Sequence, residues 1–410
     1  MLFVLVPFSP PPRAQAADDL LGEIPRGLFS DRLYEACELV ERYVPDWAIA
    51  IVGRLALAPE LERGTTVEAI LAARGYPQEN RPALAWLLAR LADAGHLDRS
   101  PGRAPVFRLT RAFPTPELAE LRAVGLAIDP AIAPTLAILD AAGEAFPTIL
   151  TGAATGEHAL FSGARLQLWL DYFHNGNPIY AINNRLAAIA AANRLRPAPA
   201  AGASTAPGGL RILEVGAGAG SAAEALLDEL RARGRLGEIA EYRLTEPNAM
   251  LRRRASRALA ARYPGLPLAD QAYDFDLSPG GQGLPETRFD LVFAVNVLHV
   301  ARSLRASLVW LRSLLVPGGW LIGGECQRLF PRQTIPIELI FEQLRSFTQV
   351  ELDPGVRSAH GFLTPEQWQQ ALAATGFADI VTVPELVRIR EHYARFFSGA
   401  LCARRPAAGS

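Results

Sequence analysis

The stretch Leu210-Arg-Ile-Leu-Glu-Val-Gly-Ala-Gly-Ala-Gly-Ser221 decides the fold of this 410-residue chain. Its apolar first half predicts a buried strand, and the Ala/Leu-rich run that follows it predicts a helix. Between them, Gly216, Gly218 and Gly220 predict a tight turn, because glycine adopts dihedral angles that other residues resist and lets a ligand approach the backbone. The stretch therefore predicts a nucleotide-like cofactor at this turn.

The residues beside the glycines indicate which cofactor the turn binds. Ser221 stands where a dinucleotide-binding Gly-x-Gly-x-x-Gly motif has its last glycine, and Glu214 lies at the end of the strand. A diphosphate needs free amides at a helix N-terminus, whereas a sulfonium compound with a free amino group can pair with a carboxylate. The acid and the glycine spacing resemble the S-adenosylmethionine site of class I methyltransferases, which implies that cofactor.

Composition excludes several classes of function. All 41 basic residues are Arg, so a Schiff-base lysine and a P-loop lysine are both excluded. The net charge of −1 argues against nucleic-acid or anionic membrane partners, and no apolar run reaches the length of a membrane span. The three cysteines are scattered, which predicts neither a metal site nor disulfides and favours a cytoplasmic setting.

Changes in composition along the chain predict five segments. The first, MLFVLVPF followed by a Pro-rich run, lacks the basic start of a signal peptide, so we interpret it as a disordered leader. The Pro/Ala/Gly run before Leu210 predicts a linker. The predicted segments are a leader (1–20), a winged-helix-like dimerisation domain (21–112), a helical linker or lid region (113–196), a flexible linker (197–209) and a methyltransferase domain (210–405).

The segment 31–110 has the pattern of a winged helix: three helices and then a hairpin. Thr65 and Glu68 predict a capping box, a long buried helix ends at Gly95, and 97–110 predicts the hairpin. Winged helices often bind DNA, but the last helix, 79–93, carries charges that cancel and has few hydrogen-bond donors for base edges. We therefore predict that this helix is an apolar dimerisation surface, as in small-molecule O-methyltransferases, and that the protein is a homodimer.

The segment 114–196 is predicted to be helical and mixes aromatic and amide side chains on an apolar background. These side chains either pack in the core and cap helices, or they shape a substrate pocket over the cofactor domain. Under the second interpretation the substrate-binding residues are Tyr172, His174, Tyr180 and Asn184.

Two further acids are candidate cofactor ligands. Glu246 ends a short predicted strand, where an acid in a doubly wound sheet accepts hydrogen bonds from ribose hydroxyls, although it could instead cap the next helix. A third strand is predicted at 272–277. Within it, Asp276 is placed to accept from an adenine amino group, with Phe275 and Leu277 around the base.

Two later strands end in residues suited to proton transfer. The run 289–295 predicts a fully buried parallel strand, which Asn296 and His299 follow, and the strand at 320–324 ends in Glu325. If these strands are neighbours, the two side chains meet over the ligand-binding edge of the sheet. A carboxylate that orients an imidazole is the arrangement of a general base. We predict that His299 and Glu325 are catalytic and that Asn296 contributes to cofactor binding.

Several of these motifs together resemble the C-methyltransferase domains of polyketide synthases. The resemblance runs from Pro147 to Pro384 and rests on the following segments: Glu214-Val-Gly-Ala-Gly-Ala-Gly, Thr245-Glu246, Phe275-Asp-Leu, the run from Phe289 to His299, the run from Leu314 to Glu325, Phe362-Leu-Thr-Pro, Trp368 and Gly376-Phe377. It also includes Asn184-Arg-Leu, which is similar to the lid segment of the family. Two departures are Arg345-Ser-Phe, where the family has Gly-Trp-Trp, and Val300-Ala301.

The resemblance implies a Rossmann-like, doubly wound α/β fold and methylation of a carbon between two carbonyl groups, with His299 as base and Glu325 as its partner. The acceptor is expected to be a small molecule or a carrier-bound acyl group. Two alternatives stay open: an O-methyltransferase, whose phenol or enol the same histidine could deprotonate, and a DNA-binding regulator that senses S-adenosylmethionine.

Overall fold

A computed structural model describes residues 20–195, 209–285, 288–393 and 395–407. Apart from Leu20 and Gly209, the predicted leader and the predicted flexible linker lie outside these residues. No helix in the described ranges is long and apolar enough to cross a membrane.

Helices fill the N-terminal half, and helices alternate with strands after it. The helices of the described residues are α1 (Asp31–Arg54), α2 (Ala58–Arg63), α3 (Val67–Arg74), α4 (Arg81–Asp93), α5 (Leu118–Ile128), α6 (Ala133–Leu150), α7 (Gly156–Leu160), α8 (Leu166–Tyr172), α9 (Pro178–Arg194), α10 (Ser221–Ala232), α11 (Ala249–Arg262), α12 (Leu304–Leu314), α13 (Glu338–Phe341), α14 (Arg345–Thr348), α15 (Pro365–Ala374) and α16 (Leu386–Ile389).

The strands form one small hairpin and one large sheet. They are β1 (Leu97–Arg99), β2 (Phe107–Leu109), β3 (Leu210–Val215), β4 (Ile239–Thr245), β5 (Leu268–Gln271), β6 (Phe289–Val295), β7 (Leu315–Cys326), β8 (Ala378–Val383) and β9 (Ser398–Arg404).

The large sheet has the order β5-β4-β3-β6-β7-β9-β8. The first five of these strands are parallel, whereas β9 runs antiparallel to both of its neighbours. The chain winds outward from β3 in both directions, so the ligand-binding edge lies at the carboxyl ends of β3 and β6. The predicted Rossmann-like, doubly wound α/β fold is confirmed.

Helices cover both faces of this sheet. On one face α9, α10 and α11 share a core with Ile212, Tyr242 and Phe293. On the other face α12 and α15 pack against Leu213 and Val292. Because both faces are covered, β6 is apolar at nearly every position, as a central parallel strand must be.

Two predicted strand boundaries are wrong. The third strand ends at Gln271, and 272–277 forms turns and loop instead of a strand. The strand predicted at 320–324 begins earlier, at Leu315: β7 includes Pro317-Gly-Gly, where the pairing with β6 shifts register and resumes regularly at Trp320. Both errors arise because a strand at the edge or at a bulge is set by its pairing partner and not by its own side chains.

The N-terminal region contains α1 to α4 followed by the antiparallel hairpin of β1 and β2. The predicted cap at Thr65 is displaced by one residue: the hydroxyl of Thr66 accepts from the amide of Ala69 at 3.1 Å. Thr65 instead pairs with Phe107 of the hairpin. This pairing attaches the hairpin to the start of α3.

The apolar surface of α4 is covered within the chain. The indole of Trp86 donates to Glu338 Oε2 at 3.0 Å, and buried Arg90 pairs with Glu41 and donates to the carbonyl of Thr334. Buried apolar side chains between Ile335 and Phe347, together with Phe362, share one core with α1 to α6. The prediction that this helix is an apolar dimerisation surface is therefore wrong, because these side chains are already buried. The homodimer itself stays a prediction.

Candidate active site at the carboxyl ends of the parallel strands

The three glycines after β3 all have positive φ, at +66° for Gly216, +51° for Gly218 and +86° for Gly220. A Cβ on Gly216 would meet Val297 at 2.5 Å, and one on Gly220 would meet Ala255 at 3.0 Å. A Cβ on Gly218 would have no neighbour closer than 4.0 Å. Packing therefore requires two of these glycines, whereas Gly218 faces open space that a ligand can fill.

Glu214 is a buried acid of β3, two residues before Gly216, with 1% of its surface exposed. Its Oε2 accepts from the hydroxyl of Tyr242 at 3.0 Å, whereas its Oε1 has no hydrogen-bond partner among the described residues. Burial raises the pKa of Glu214 to about 8, although the hydrogen bond from Tyr242 and the nearby amide of Ala223 oppose this shift. A cationic group of a ligand would pair with the free oxygen and favour the ionised form.

The raised pKa of Glu214 predicts that Glu214→Gln stabilises the protein. The folded protein favours the protonated form of Glu214, whereas the unfolded chain releases this proton at a pKa of 4.5. The folded state therefore keeps its full stability below pH 4.5 and loses part of it as the pH rises toward about 8. At pH 7 the loss is on the order of 3 kcal/mol, which a neutral amide avoids. We expect a higher melting temperature for the variant at pH 8 and little change at pH 5. Equal shifts at both pH values would contradict the buried, protonated acid.

Glu246 follows β4 at the same edge. Its carboxylate accepts from the amide of Gly218 at 3.0 Å and from the amide of Asn248 at 2.9 Å. The side chain of Asn248, not that of Glu246, caps α11 by accepting from Met250 and Leu251. The acid therefore connects the glycine turn to the end of β4, a position compatible with the predicted ribose contact.

Asp276 lies in the loop after β5. Its Oδ1 accepts from the amide of Arg302 at 2.7 Å and from the hydroxyl of Ser307 at 3.3 Å, while burial raises its pKa. Phe275 packs half-buried against the α12 face, but Leu277 is 48% exposed. The adenine contacts predicted for these three residues stay a prediction.

His299 and Glu325 meet over the edge of the sheet, as their spacing predicts. β6 and β7 are parallel neighbours, and Nδ1 of His299 lies 2.6 Å from Oε2 of Glu325. Glu325 Oε1 accepts from the amides of Val297 and Leu298 at 3.1 and 2.8 Å. Both side chains are buried, at 3% and 0% exposure. The carboxylate is thus held by two backbone amides and by Nδ1, which leaves Nε2 as the imidazole nitrogen that does not contact it.

Three phenylalanines surround the imidazole of His299. The ring centroids of Phe341, Phe347 and Phe362 lie 5.9, 5.8 and 4.8 Å from that of the histidine. Sequence reasoning did not assign these residues to the site, although Phe347 belongs to the segment that departs from the family pattern. The apolar surround favours neutral ligands beside the imidazole and limits the access of water.

Arg357 is a buried residue that holds this site together and that the sequence did not reveal. Its guanidinium donates to the carbonyls of His299, Ala301, Ala359 and Gly361 at 2.6 to 3.2 Å. Burial lowers its pKa to about 10, so it is still charged at neutral pH. It therefore attaches the loop that carries Phe362 to the turn that carries the histidine.

We expect Arg357→Met to destabilise the protein by on the order of 3 kcal/mol, because three buried carbonyls and one half-buried carbonyl lose a charged donor. Urea unfolding of both proteins measures this loss. Arg305→Met is the matched control: the exposed Arg305–Asp353 ion pair contributes little. If Arg357→Met were as stable as the control, Arg357 would not hold this loop.

The predicted substrate residues of α8 and α9 lie in two different places. Tyr180 is beside the cofactor turn: burial raises the pKa of its hydroxyl, and the nearby side chains of Ser221 and Asn296 oppose that shift. Tyr172 is buried, with its ring 5.4 Å from that of Tyr180. Both aromatic rings are therefore near the predicted cofactor site.

His174 and Asn184 point elsewhere. His174 is exposed and its Nδ1 accepts from the amide of Gly176 at 2.9 Å. Buried Asn184 donates to Asn175, which donates in turn to Ser221 O and to Glu224 of α10. These contacts lead to α10 and not to His299. For these two residues they support local structural roles, the first of the two interpretations that the sequence allowed.

Asn296 occupies a strained position between the two strands. Its φ is +55°, a conformation that asparagine tolerates better than most residues, and its amide donates to the carbonyl of Gly324 at 2.7 Å. Its Oδ1 accepts from Asn183 of α9, which also donates to Cys326. The cofactor turn, the α9 helix and the dyad strands are therefore linked by one polar network.

These features fit the predicted cofactor. The open space at Gly218 admits a ligand against the backbone, and the free oxygen of Glu214 matches a cationic amino group. Among the residues that the structure describes, no cluster of His, Cys, Asp and Glu side chains could hold a metal ion.

Comparisons with known proteins agree with this architecture. Residues 213–321 match the family model described as a methyltransferase domain. The highly reducing polyketide synthase ALT1 of Alternaria alternata is 34% identical over 175 residues, which are 42% of this chain and 6% of that protein. The chain therefore spans only a small part of the length of this relative.

Two solved structures are similar over nearly the whole chain. The CurJ carbon methyltransferase has a TM-score of 0.75 at 23% identity and covers 96% of this chain and 98% of its own. The trans-methyltransferase CalH, solved in complex with SAH, has a TM-score of 0.60 at 18% identity and covers 92% of each chain. At these identities the likeness establishes the fold, including the N-terminal helical region.

Proposed function

We propose that this chain is an S-adenosylmethionine-dependent methyltransferase that methylates an activated carbon. The acceptor is a small molecule or a carrier-bound acyl group whose reacting carbon lies between two carbonyl groups. The similarity of this chain to a polyketide synthase and to a carbon methyltransferase supports this choice of acceptor.

The single observation that carries the proposal is the contact between His299 and Glu325. Because Glu325 is held by two backbone amides and by Nδ1, the imidazole presents the unprotonated Nε2 to an acceptor. A carbon acid needs such a base, and the adjacent carboxylate stabilises the imidazolium that forms.

The histidine, the glutamate and the three phenylalanines each have a separate role in the reaction. His299 Nε2 takes the proton from the acceptor carbon, and the electrons of the broken C–H bond pass into the neighbouring carbonyl as an enolate. Glu325 stabilises the charge left on the ring. The rings of Phe341, Phe347 and Phe362 exclude water, which would otherwise reprotonate the carbon.

Cofactor binding is assigned to the glycine turn and the acids around it. Glu214 would hold the amino group, Glu246 the ribose, and Asp276 the adenine, with Gly218 against the body of the ligand. When bound, S-adenosylmethionine supplies an electrophilic methyl group on a sulfonium, so that positioning supplies most of the catalysis.

The experiment that tests the proposal is incubation of the purified protein with methyl-labelled S-adenosylmethionine and a panel of β-ketoacyl thioesters and phenols. We expect label in an acid-stable C-methyl group of the thioesters. Label only in an O-methyl group would replace the proposal with the O-methyltransferase alternative. No transfer to any acceptor while the cofactor binds would refute the proposed acceptor class.

A further inference from the structure

A buried amide oxygen without a partner in the described ranges lies beside the ends of β6 and β7. Asn183 of α9 is 3% exposed, and its Nδ2 donates to Asn296 Oδ1 at 3.0 Å and to Cys326 Sγ at 3.3 Å. Its Oδ1 has no hydrogen-bond partner among the described residues. Buried polar atoms nearly always have partners, so an unpartnered one at a ligand site requires an explanation.

The surroundings hold Asn183 in this place. Gly324 allows α9 to approach β7, because a Cβ there would lie 2.8 Å from the carbonyl oxygen of Asn183 and 3.1 Å from Ala187. Burial raises the pKa of the Cys326 thiol to about 12, so the sulfur stays protonated and accepts only weakly from Asn183 Nδ2. The side chain is therefore anchored through its nitrogen, and its oxygen is left for another group.

The position of this oxygen limits what it can contact. Asn183 bridges the ends of β6 and β7, beside the dyad, while Tyr180 one turn earlier contacts Ser221 of the cofactor turn. An amide oxygen only accepts, so its partner must carry polarised hydrogens. The amino group and the ribose of the cofactor are assigned to Glu214 and Glu246. Toward an acceptor at His299, the remaining group with such hydrogens is the methyl on the sulfonium, whose C–H bonds form weak hydrogen bonds to oxygen.

We propose that Asn183 Oδ1 contacts the methyl group that is transferred and aligns it toward the acceptor. This inference rests on the proposed function, since it requires S-adenosylmethionine on the glycine turn. Asn183 is then a residue that distinguishes the methylated cofactor from its demethylated product. The discrimination would promote product exchange, because S-adenosylhomocysteine lacks the group that the oxygen contacts.

Calorimetric titration of the full chain with S-adenosylmethionine and with S-adenosylhomocysteine tests the inference without any acceptor. We expect Asn183→Ala to weaken binding of the methylated compound about fivefold more than binding of the product. A purely structural tether would weaken both equally, and that result would overturn the inference. Failure of the wild-type protein to bind either compound would instead refute the proposed function.

Two further variants make the test sharper. Asn183→Leu keeps the volume of the side chain without an oxygen, so we expect it to lose the same selectivity even if Asn183→Ala does not fold. A wild-type ratio of the two affinities in Asn183→Leu would contradict the inference. Asn184→Ala is the matched control, because Asn184 is also buried with an unpartnered Oδ1 but donates to Asn175 at 2.8 Å. For Asn184→Ala, the ratio of the affinities for S-adenosylmethionine and S-adenosylhomocysteine should equal that of the wild type.

Discussion

His299→Ala should reduce the rate of methyl transfer by roughly 10²- to 10⁴-fold while leaving the affinity for S-adenosylmethionine within about twofold of the wild type. The reason is that the imidazole removes a proton from the acceptor and does not contact the cofactor turn. Single-turnover rates with labelled cofactor give the first quantity, and calorimetric titration gives the second.

The chain offers a matched control in a second His–Glu pair. His360 Nε2 lies 3.0 Å from Glu342 Oε2, with a third of the imidazole side chain exposed. His360→Ala removes an imidazole that no step requires, so its rate should stay within a few-fold of the wild type. Comparable losses in both variants would show that general disturbance, and not the base, explains the effect.

Gly218→Val should lower the affinity for S-adenosylmethionine at least 100-fold, the second large effect that we expect. The new side chain would occupy the space that Gly218 leaves open, since a Cβ there has no neighbour closer than 4.0 Å. For the same reason the variant should fold, apart from the strain of a β-branched residue at a φ of +51°.

Gly234→Val separates strain from loss of the cofactor. Gly234 follows α10 with a φ of +71°, and a Cβ there would also meet open space. Both variants should lose a similar amount of stability in thermal melts, but Gly234→Val should bind the cofactor normally. A Gly218→Val protein that binds as tightly as the wild type would remove the glycine turn from the cofactor site.

Local sequence patterns were sufficient to predict the strands, turn and helix around Gly218. The strand, turn and helix around Gly218 follow from short-range dihedral and burial preferences, and the buried run of β6 follows from having both faces covered. The separation of His299 and Glu325 was also informative, because two successive parallel strands end at the same edge of a sheet. In each case the signal lies within one element or between neighbouring ones.

The features that the sequence did not reveal depend on contacts between distant segments. Trp86 reaches Glu338, 252 positions away, and this contact covers the helix that we predicted to be a dimerisation surface. Arg357 contacts backbone carbonyls, which have no sequence signature, and the unpartnered oxygen of Asn183 depends on where α9 packs. Periodicity identifies which face of a helix is buried, but it does not identify the partner.

Deuterium exchange tests, without methyl transfer, whether His299 takes a proton from the acceptor carbon. A β-ketoacyl thioester is incubated in D₂O with S-adenosylhomocysteine and either the wild-type protein or His299→Gln. We predict that the wild type accelerates deuterium incorporation between the two carbonyl groups above the uncatalysed rate and that the variant does not. Equal acceleration by both proteins would contradict the assignment of His299 as the base.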